Sequence, residues 1–316
     1  MRWRPSHLLL LLFFSVFSLF LVRAKVSDFR ICAYNVPNFN SEKASNYRVL
    51  HTLMKVVSRC DICLLQHVVD SDGKAIKALL SKLNRETDRY DGHRYESVSS
   101  KSLGNSPSDM QQYVFIYRSN RVNLTGQHQY ESRQSFVREP FAVRFQSSKT
   151  AINQFVLVPL HSEPAQAVQE IDRLYDVFQE VSRKWENQNV MFLGDFHAGC
   201  AYVTRKDRKR IRLYTNSSFS WLIRDREDTT VPDSTNCAYD RIVVHGESFL
   251  KTIIPLSGKV FNFAKEFKLE RRTVLDVSDH FPVEVTLKSS ALLLQATPLL
   301  LLLCLSASVQ SLLPVL

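Results

Sequence analysis

Eight short apolar runs recur through one uninterrupted block of the chain, and they limit its fold more than any other feature. Each run is rich in β-branched and aromatic residues, which is typical of β-strands, several of them buried on both faces. The runs are Phe29–Tyr34, Ile62–Leu65, Tyr113–Tyr117, Phe141–Phe145, Phe155–Leu160, Val190–Leu193, Arg241–Val244 and Phe281–Leu287. Two stretches between them repeat apolar residues at the helical period. They are Tyr47, Leu50, Met54 and Val57, and then Val168, Ile171, Tyr175, Phe178, Val181 and Trp185.

Strands and helices alternate over residues 25–288, and no repeat or linker rich in Gly, Ser or Pro divides this stretch. Such alternation predicts an α/β domain in which two sheets pack together and helices lie outside them. The stretch is also long enough to bury a substantial core. We therefore expect one domain over residues 25–288.

The first 24 residues have the order of a secretory signal peptide. Arg2 and Arg4 precede an uncharged apolar stretch from Leu8 to Val22, and the small residue Ala24 follows. This order predicts a cleaved signal peptide over residues 1–24. The alternative is an uncleaved anchor helix, for which the apolar stretch is short.

The last 28 residues, 289–316, form a hydrophobic tail, because no charged residue follows Lys288. Small residues at Ser289, Ser290 and Ala291 precede the leucine-rich end, as in a signal for glycolipid anchoring. A transmembrane tail and a retained hydrophobic extension remain alternatives. We expect passage through the secretory pathway, followed by secretion or attachment to the extracellular face of the cell membrane.

The formal net charge of the chain is +10, and loss of the three signal-peptide arginines leaves +7. A basic excess suits a polyanionic partner such as nucleic acid. Export also favours disulfide bonds among the cysteines. Cys60 and Cys63 have the spacing of a redox or zinc pair, but Cys63 lies in an apolar strand pattern, so we expect it to be a buried free thiol.

Polar residues with chemical potential stand where the predicted strands begin or end. Because the ends of neighbouring strands meet at the edge of a sheet, we expect these side chains to share one cleft. They are Asn35, His67, His161, Asp195, Asp240, Asp279 and His280.

Six segments together resemble the deoxyribonuclease I family, and the residues around Asp228-Thr229-Thr230 resemble its gamma-like branch. The segments are Cys32–Asn35, Leu65–Asp70, Arg138–Phe141, Leu160–His161, Gly194–Cys200, and Cys237–Arg241 taken with Ser278–Pro282. The resemblance implies a four-layer α/β sandwich, with two packed mixed sheets flanked by helices. It also implies a monomer that cleaves DNA phosphodiester bonds to 5′-phosphate ends with divalent metal ions, Mg²⁺ and Ca²⁺.

The resemblance assigns roles to the residues of the expected cleft. His280, supported by Asp240, matches the general base that activates water, and His161 matches the acid that protonates the departing 3′ oxygen. Asp195 matches a catalytic carboxylate, while Asn35 and Asp279 match the surrounding metal ligands. Cys200 and Cys237 match the family's disulfide, and a second bond between Cys32 and Cys60 is expected near the ends of neighbouring elements.

Each of these residues also has an ordinary structural interpretation. A histidine at a strand end is commonly a structural or surface group, Asp195 could begin a turn, and Asn35 could cap a strand. Arg138 is interpreted as a contact to the DNA backbone phosphate, with an ordinary ion pair as the alternative.

Three positions depart from the family pattern. His67 stands where the family has a metal-binding Glu, and His197 stands where it has an Asn that holds phosphate or metal. Gln111 replaces the carboxylate that supports the acid His161, and Asp109 in the same loop is a candidate substitute. We expect weaker Mg²⁺ binding, a role for Mn²⁺ or Zn²⁺ with imidazole ligands, and a His161 that loses its proton more easily.

Three hypotheses follow from this altered site. The first is a metal-dependent DNA endonuclease whose activity is reduced by His67, Gln111 and His197. The second is a catalytically impaired paralogue that binds DNA or another polyanion at the cell surface. The third is a changed substrate, as in related sphingomyelinases and inositol phosphatases.

Overall fold

A computed structural model of the protein describes residues 28–90, 94–131 and 136–290. The predicted signal peptide, residues 1–24, and the predicted tail from residue 291 onward lie outside these ranges. The strands are β1 (Phe29–Phe39), β2 (Ile62–Val68), β3 (Tyr95–Ser99), β4 (Gln112–Arg118), β5 (Asn123–Gln129), β6 (Phe141–Gln146), β7 (Gln154–Pro159), β8 (Val190–Asp195), β9 (Phe219–Trp221), β10 (Asp240–His245), β11 (Lys259–Val260) and β12 (Val283–Leu287). The α-helices are α1 (Ser41–Ser45), α2 (Tyr47–Val57), α3 (Lys74–Tyr90), α4 (Ala167–Trp185), α5 (Arg205–Arg208), α6 (Arg212–Thr215), α7 (Glu247–Thr252), α8 (Phe263–Glu266) and α9 (Arg271–Val277).

These strands form two mixed sheets of six strands each. The first sheet has the order β11-β12-β1-β2-β4-β3, and the second has the order β5-β6-β7-β8-β10-β9. In each sheet one central pair is parallel, β1 with β2 and β7 with β8, while the other pairs are antiparallel. All eight predicted strands are confirmed, with boundaries that differ by a few residues.

The inner faces of the two sheets share one hydrophobic core. Phe29 of the first sheet packs edge-on against Phe155 of the second, with ring centroids 6.3 Å apart. Phe115 and Phe145 make a similar contact at 6.1 Å. Aromatic pairs in this arrangement stabilise the packing beyond their buried area, by about 0.5–1.5 kcal/mol each.

Two outer cores complete the layers. Helix α2 contributes Val49 and Leu53 to a core with Leu65 on the outer face of the first sheet. Helix α4 contributes Ile171 to a core with Phe192 on the outer face of the second sheet. The order helix, sheet, sheet, helix is the four-layer α/β sandwich that was expected.

Strand β1 shows why its sequence is an unbroken apolar run. Side chains alternate between the two faces of a strand. Ile31 and Ala33 lie in the core between the sheets, whereas Cys32 and Tyr34 lie in the core under the helices. Both faces are buried, so the hydrophobic pattern cannot alternate with polar residues.

The cysteines pair as the sequence predicts. Cys32 is bonded to Cys60, and Cys200 is bonded to Cys237, with Cα separations of 6.1 and 5.8 Å. Cys63 is a buried free thiol, and burial raises its pKa far above the ordinary value. Among the described residues, no helix combines the length and apolar character required to cross a membrane.

Candidate active site

Two buried aspartates face each other at one edge of the second sheet. Asp195 is the last residue of β8 and Asp240 is the first residue of β10, and the antiparallel register pairs them directly. Both side chains are fully buried. Buried carboxylates require hydrogen-bonding or charged partners, and the surrounding polar side chains supply them.

The Asp195 carboxylate lies at the centre of the site. Its Oδ2 accepts a hydrogen bond from Asn35 Nδ2 at 2.9 Å. The same oxygen is 3.6 Å from His280 Nε2 and 3.9 Å from His161 Nε2. Burial opposes ionisation, but the imidazoles of His197, His280 and His161 outweigh it and hold the pKa of Asp195 below its usual range. The two histidines predicted to transfer protons therefore flank one ionised oxygen.

His280 is held as one half of an ion pair. Its Nδ1 donates to Asp240 Oδ2 at 2.7 Å. Burial of the imidazole disfavours its charge, yet the Asp240 and Asp195 carboxylates dominate and raise the pKa of His280 to about 10. The backbone of this pair is fixed locally: His280 N donates to Ser278 Oγ, and Asp240 N donates to Thr229 Oγ1. His280 thus carries a proton at neutral pH.

His161 has the opposite charge state. Burial lowers the pKa of His161 well below the ordinary value, and the attraction of Asp195 only partly offsets this effect. Its Nδ1 is 2.9 Å from Gln111 Oε1, and its backbone N–H donates to Tyr113 Oη at 2.9 Å. Within the described part of the chain no carboxylate lies beside Nδ1, which agrees with the predicted loss of charge support at residue 111.

The two unusual histidines lie against His161. The ring centroids of His67 and His197 are 5.3 and 6.0 Å from that of His161. Both residues adopt left-handed backbone conformations, with φ values of +59° and +47°. Burial, followed by the nearby charge of Arg138, lowers the pKa of His67 to about 4. His67 is therefore neutral at physiological pH and presents nitrogen where the family pattern has a carboxylate.

Arg138 is directed into the protein. Its side chain is 4% exposed, and its guanidinium donates to the His161 carbonyl, Asp109 and Glu163 at 3.1, 2.9 and 3.2 Å. This geometry matches the ion-pair alternative, and the phosphate contact stays a prediction. Asp109 does not take the place of Gln111 beside His161. It lies behind Gln111 and accepts a hydrogen bond from Gln111 Nε2 at 3.0 Å.

Gln66 is a site residue that the sequence reasoning did not single out. Its side chain leaves the first sheet, accepts a hydrogen bond from Asp195 N at 2.9 Å and donates to the Leu160 carbonyl at 2.7 Å. Gly194 makes this bridge possible, because a Cβ there would lie 2.5 Å from both Gln66 Nε2 and Leu160 O. The signal in the sequence is a glutamine directly after the apolar run Ile62–Leu65. The structure buries this side chain fully, and a buried amide requires hydrogen-bond partners.

Comparison with known proteins identifies the scaffold. The family model described as "Endonuclease/Exonuclease/phosphatase family" matches residues 32–280. The chain belongs to this family. Deoxyribonuclease gamma of Homo sapiens is 44% identical over 266 residues, which cover 83% of this chain and 86% of that protein. Deoxyribonuclease-1 of Mus musculus is 44% identical over 265 residues, covering 82% of this chain and 91% of that one.

A solved structure with the same fold is the catalytic domain of human Nocturnin. It aligns with a TM-score of 0.55 at 13% identity, covering 83% of this chain and 95% of that chain. The expected membership in the deoxyribonuclease I family is confirmed by the relatives above. Deoxyribonuclease gamma and deoxyribonuclease-1 are equally identical to this chain, so these identities do not assign it to the gamma-like branch.

Nucleases of this family use divalent metal ions, and the described residues fit such an ion in part. Asn35 Oδ1 is buried and receives no hydrogen bond from the residues that the structure describes, which is the environment of an oxygen that binds a cation. Asn35 pairs with Gln66 in the sheet register, one residue before His67. The donors are one amide oxygen and one neutral imidazole, with the exposed Asp279 following Ser278. This set fits an ion that accepts mixed oxygen and nitrogen ligands better than it fits Mg²⁺.

A second arrangement of potential ligands overlaps the proton-transfer residues. Among the described histidines, cysteines, aspartates and glutamates, the group whose ligand atoms all lie within 4.8 Å of one another is Asp195, Asp240 and His280. The hydrogen bond from His280 Nδ1 to Asp240 already explains this proximity. An ion in that position would have to displace the proton of His280.

Proposed function

We propose that this protein is a metal-dependent DNA endonuclease that hydrolyses phosphodiester bonds to 5′-phosphate and 3′-hydroxyl ends, with reduced activity in Mg²⁺. The observation that carries the proposal is the pair of imidazole Nε2 atoms, on His161 and His280, within 4 Å of one Asp195 oxygen. The relatives named deoxyribonucleases support DNA as the substrate.

Hydrolysis of the ester requires one proton to leave water and one proton to reach the departing oxygen. A neutral imidazole takes the first proton as the water oxygen bonds to phosphorus, and an imidazolium gives the second as the bond from phosphorus to the 3′ oxygen breaks. The site holds one imidazole in each state, neutral His161 and protonated His280. A divalent ion, when bound, would neutralise charge on the phosphate oxygens.

The resemblance gives the base to His280 and the acid to His161. The directions of the two pKa shifts favour the exchanged roles at neutral pH, because His161 is free to accept a proton and His280 has one to donate. Asp240 then keeps His280 protonated, and Gln111 keeps Nδ1 of His161 hydrogen-bonded.

The metal site supports the proposed reduction in activity. Neutral His67 supplies neither the negative charge nor the oxygen that Mg²⁺ prefers. We propose Asn35, His67 and Asp279 as the ligands, and Mn²⁺ or Zn²⁺ as more effective ions than Mg²⁺. A requirement for Ca²⁺ is carried over from the family resemblance alone.

A basic segment that follows Tyr202 in the sequence supports DNA as the partner. We use the name basic segment for residues 205–210, where Arg205, Lys206 and Lys209 are exposed and have no ion-pair partner among the described residues. The segment begins three residues after Tyr202, whose ring is 5.4 Å from that of His197. Exposed cations that follow an exposed aromatic residue suit contact with a nucleic-acid backbone and its bases.

The second candidate function is binding of DNA without cleavage. His67 and Gln111 favour it, because each replaces a charged carboxylate of the family pattern by a neutral group. The basic segment would support this function equally well, since binding to phosphate requires no proton transfer.

We propose that the protein acts outside the cell or on the outer surface of its membrane, as a monomer. The two disulfide bonds support an oxidising compartment, and the signal peptide, residues 1–24, is consistent with export. The tail, residues 289–316, is proposed as an anchor signal. Release of the protein from expressing cells by a phospholipase specific for glycolipid anchors tests that assignment.

Nicking of supercoiled plasmid by the purified protein tests the enzymatic function. Assays in Mg²⁺, Mn²⁺ and Zn²⁺ between pH 5 and pH 9 should show cleavage that His161→Ala and His280→Ala each reduce about 100-fold or more. Plasmid binding without nicking in every ion would replace the proposal by the second candidate. Equal rates for the wild type and both variants would reject this site.

A further inference from the structure

Gln111 stands between a histidine of the site and a carboxylate of its own loop. Its Oε1 is 2.9 Å from His161 Nδ1, and its Nε2 is 3.0 Å from Asp109 Oδ1. The other oxygen of Asp109 accepts from Arg138 at 2.9 Å. The Gln111 side chain is buried, whereas Asp109 is 38% exposed, so a chain of hydrogen bonds runs from the surface to the site.

The hydrogen-bonding groups on either side of Gln111 fix the orientation of its side-chain amide. An ionised carboxylate only accepts hydrogen bonds, so Gln111 must turn its NH₂ group toward Asp109. The carbonyl oxygen of Gln111 then faces His161 and can only accept. Nδ1 of His161 therefore carries the hydrogen, which leaves the lone pair of the neutral ring on Nε2, facing Asp195.

We infer that Asp109 is a positioning residue, which acts through Gln111 to hold His161 in the Nδ1–H form required for proton transfer. The inference rests on the proposed function and deepens it. The Nδ1–H form leaves Nε2 free to accept a proton, and the same Gln111 oxygen still accepts from Nδ1 once the ring is charged. One orientation of the amide thus serves both states of His161.

Removal of Asp109 would free the amide to rotate. Rotation by 180° presents the NH₂ group of Gln111 to Nδ1, which then must be an acceptor. The neutral ring would carry its hydrogen on Nε2, where it cannot take a proton from water. Arg138 cannot enforce the original orientation, because a guanidinium only donates.

Glu163 offers a matched control. Like Asp109, it is an acidic residue about one-third exposed that accepts from the Arg138 guanidinium, at 3.2 Å. It makes no hydrogen bond to Gln111 among the described residues. Asp109→Ala and Glu163→Ala therefore each remove one partner of Arg138, but only the first releases the Gln111 amide.

The first experiment compares nicking kinetics of these two variants. We expect Asp109→Ala to lower kcat about 10-fold or more with KM nearly unchanged, and Glu163→Ala to stay within about 3-fold of the wild type. In a Gln111→Glu background the amide no longer needs orienting, and Asp109 places a second carboxylate beside the first. There, Asp109→Ala should leave kcat unchanged or raise it. Equal losses from Asp109→Ala and Glu163→Ala, or the same loss in both backgrounds, would refute the inference.

The second experiment measures the tautomer of the His161 ring directly and does not require enzymatic activity. In protein with ¹⁵N-labelled histidine, the nitrogen shifts of His161 distinguish the Nδ1–H form from the Nε2–H form. We expect the Nδ1–H form in the wild type and in Glu163→Ala, and a shift toward the Nε2–H form in Asp109→Ala. An unchanged form in Asp109→Ala would overturn the inference even if the enzyme is active. The expected change in a protein that does not cleave DNA would instead support the inference and reject the proposed function.

Discussion

His67 and Gln111 are the residues whose chemistry departs most from that of a magnesium-dependent phosphodiesterase. The first contributes a neutral ring against His161, and the second contributes a neutral amide that hydrogen-bonds to the same histidine. We expect the double change His67→Glu and Gln111→Glu to raise Mg²⁺-dependent nicking about 10-fold or more, because it restores one hard ligand and one supporting charge. The control is His67→Gln, which adds an oxygen but no charge and should gain less. Strong cleavage in Mg²⁺ by the unmodified protein would show that the two neutral groups are not limiting.

The ion pair of His280 predicts how stability changes with pH. Its folded-state pKa of about 10 lies above the ordinary value of 6.5, so the pair stabilises the fold fully below about pH 6.5. The stabilisation declines as the pH rises from there and is lost through pH 10. The difference in Tm between the wild type and His280→Gln should therefore shrink between pH 6 and pH 10 in thermal unfolding. A difference that stays constant would mean that His280 is not held as an imidazolium.

At the scale of secondary structure, the sequence predicts the buried strands well and the exposed elements poorly. Strands such as β1 and β8 are buried on both faces, so their apolar runs are unmistakable. The edge strand β5 is largely polar and partly exposed, so it carries no such signal. Helix α3, which has many charged residues, was not singled out either. The structure brings Asn35, His161 and His280 around Asp195. The bridge made by Gln66 depends on tertiary contacts between two sheets, which the sequence pattern does not reveal.

The basic segment predicts the salt dependence of DNA binding. Changing Arg205, Lys206 and Lys209 to Glu should weaken binding at all sequences, and it should reduce the slope of log Kd against log salt by about 1 for each phosphate that is no longer neutralised. The matched control changes three other exposed cations to Glu and so alters the net charge by the same amount. These cations precede the starts of β7 and β8, at the end of the second sheet opposite Asp195: Lys149, Arg183 and Lys184. Equal effects of the two triple variants on a duplex would show that net charge, and not this surface, sets the affinity.

Gly194 predicts a steric limit on the site. Its φ of +128° and the 2.5 Å approach to Leu160 O leave no room for a side chain, so Gly194→Ala should destabilise the fold by about 3 kcal/mol and displace Asp195. Gly73 also has a positive φ, +69°, but a Cβ placed there would have no atom of the described residues within 4 Å. Gly73→Ala should therefore lower stability by only about 1 kcal/mol and preserve nicking. Denaturant unfolding measures the free energy of unfolding of both variants. Similar losses of stability in the two would contradict this account.

For the whole molecule, the two disulfide bonds have different consequences. Cys200–Cys237 joins the loop after β8 to the segment before β10, just beyond the strand ends that carry the paired aspartates. Cys32–Cys60 ties β1 to the start of β2, away from the site. Replacing either pair by serine should cost about 2–5 kcal/mol of stability, but only the first should also lower nicking below the unfolding temperature. Full activity without Cys200–Cys237 would show that the loop keeps its place unaided.

Gln66 anchors Asp195 through two backbone groups, the N–H of Asp195 and the carbonyl of Leu160. This link between the two sheets therefore depends on the side chain of Gln66 and not on the side chains at positions 160 and 195. Substitutions among the residues around Asp195 can exchange one metal ligand or proton-transfer group for another while this link between the sheets is kept. In a fold of this kind the residues that hold the two sheets together differ from those that carry out the chemistry. The reaction or its specificity can therefore change without a change of fold.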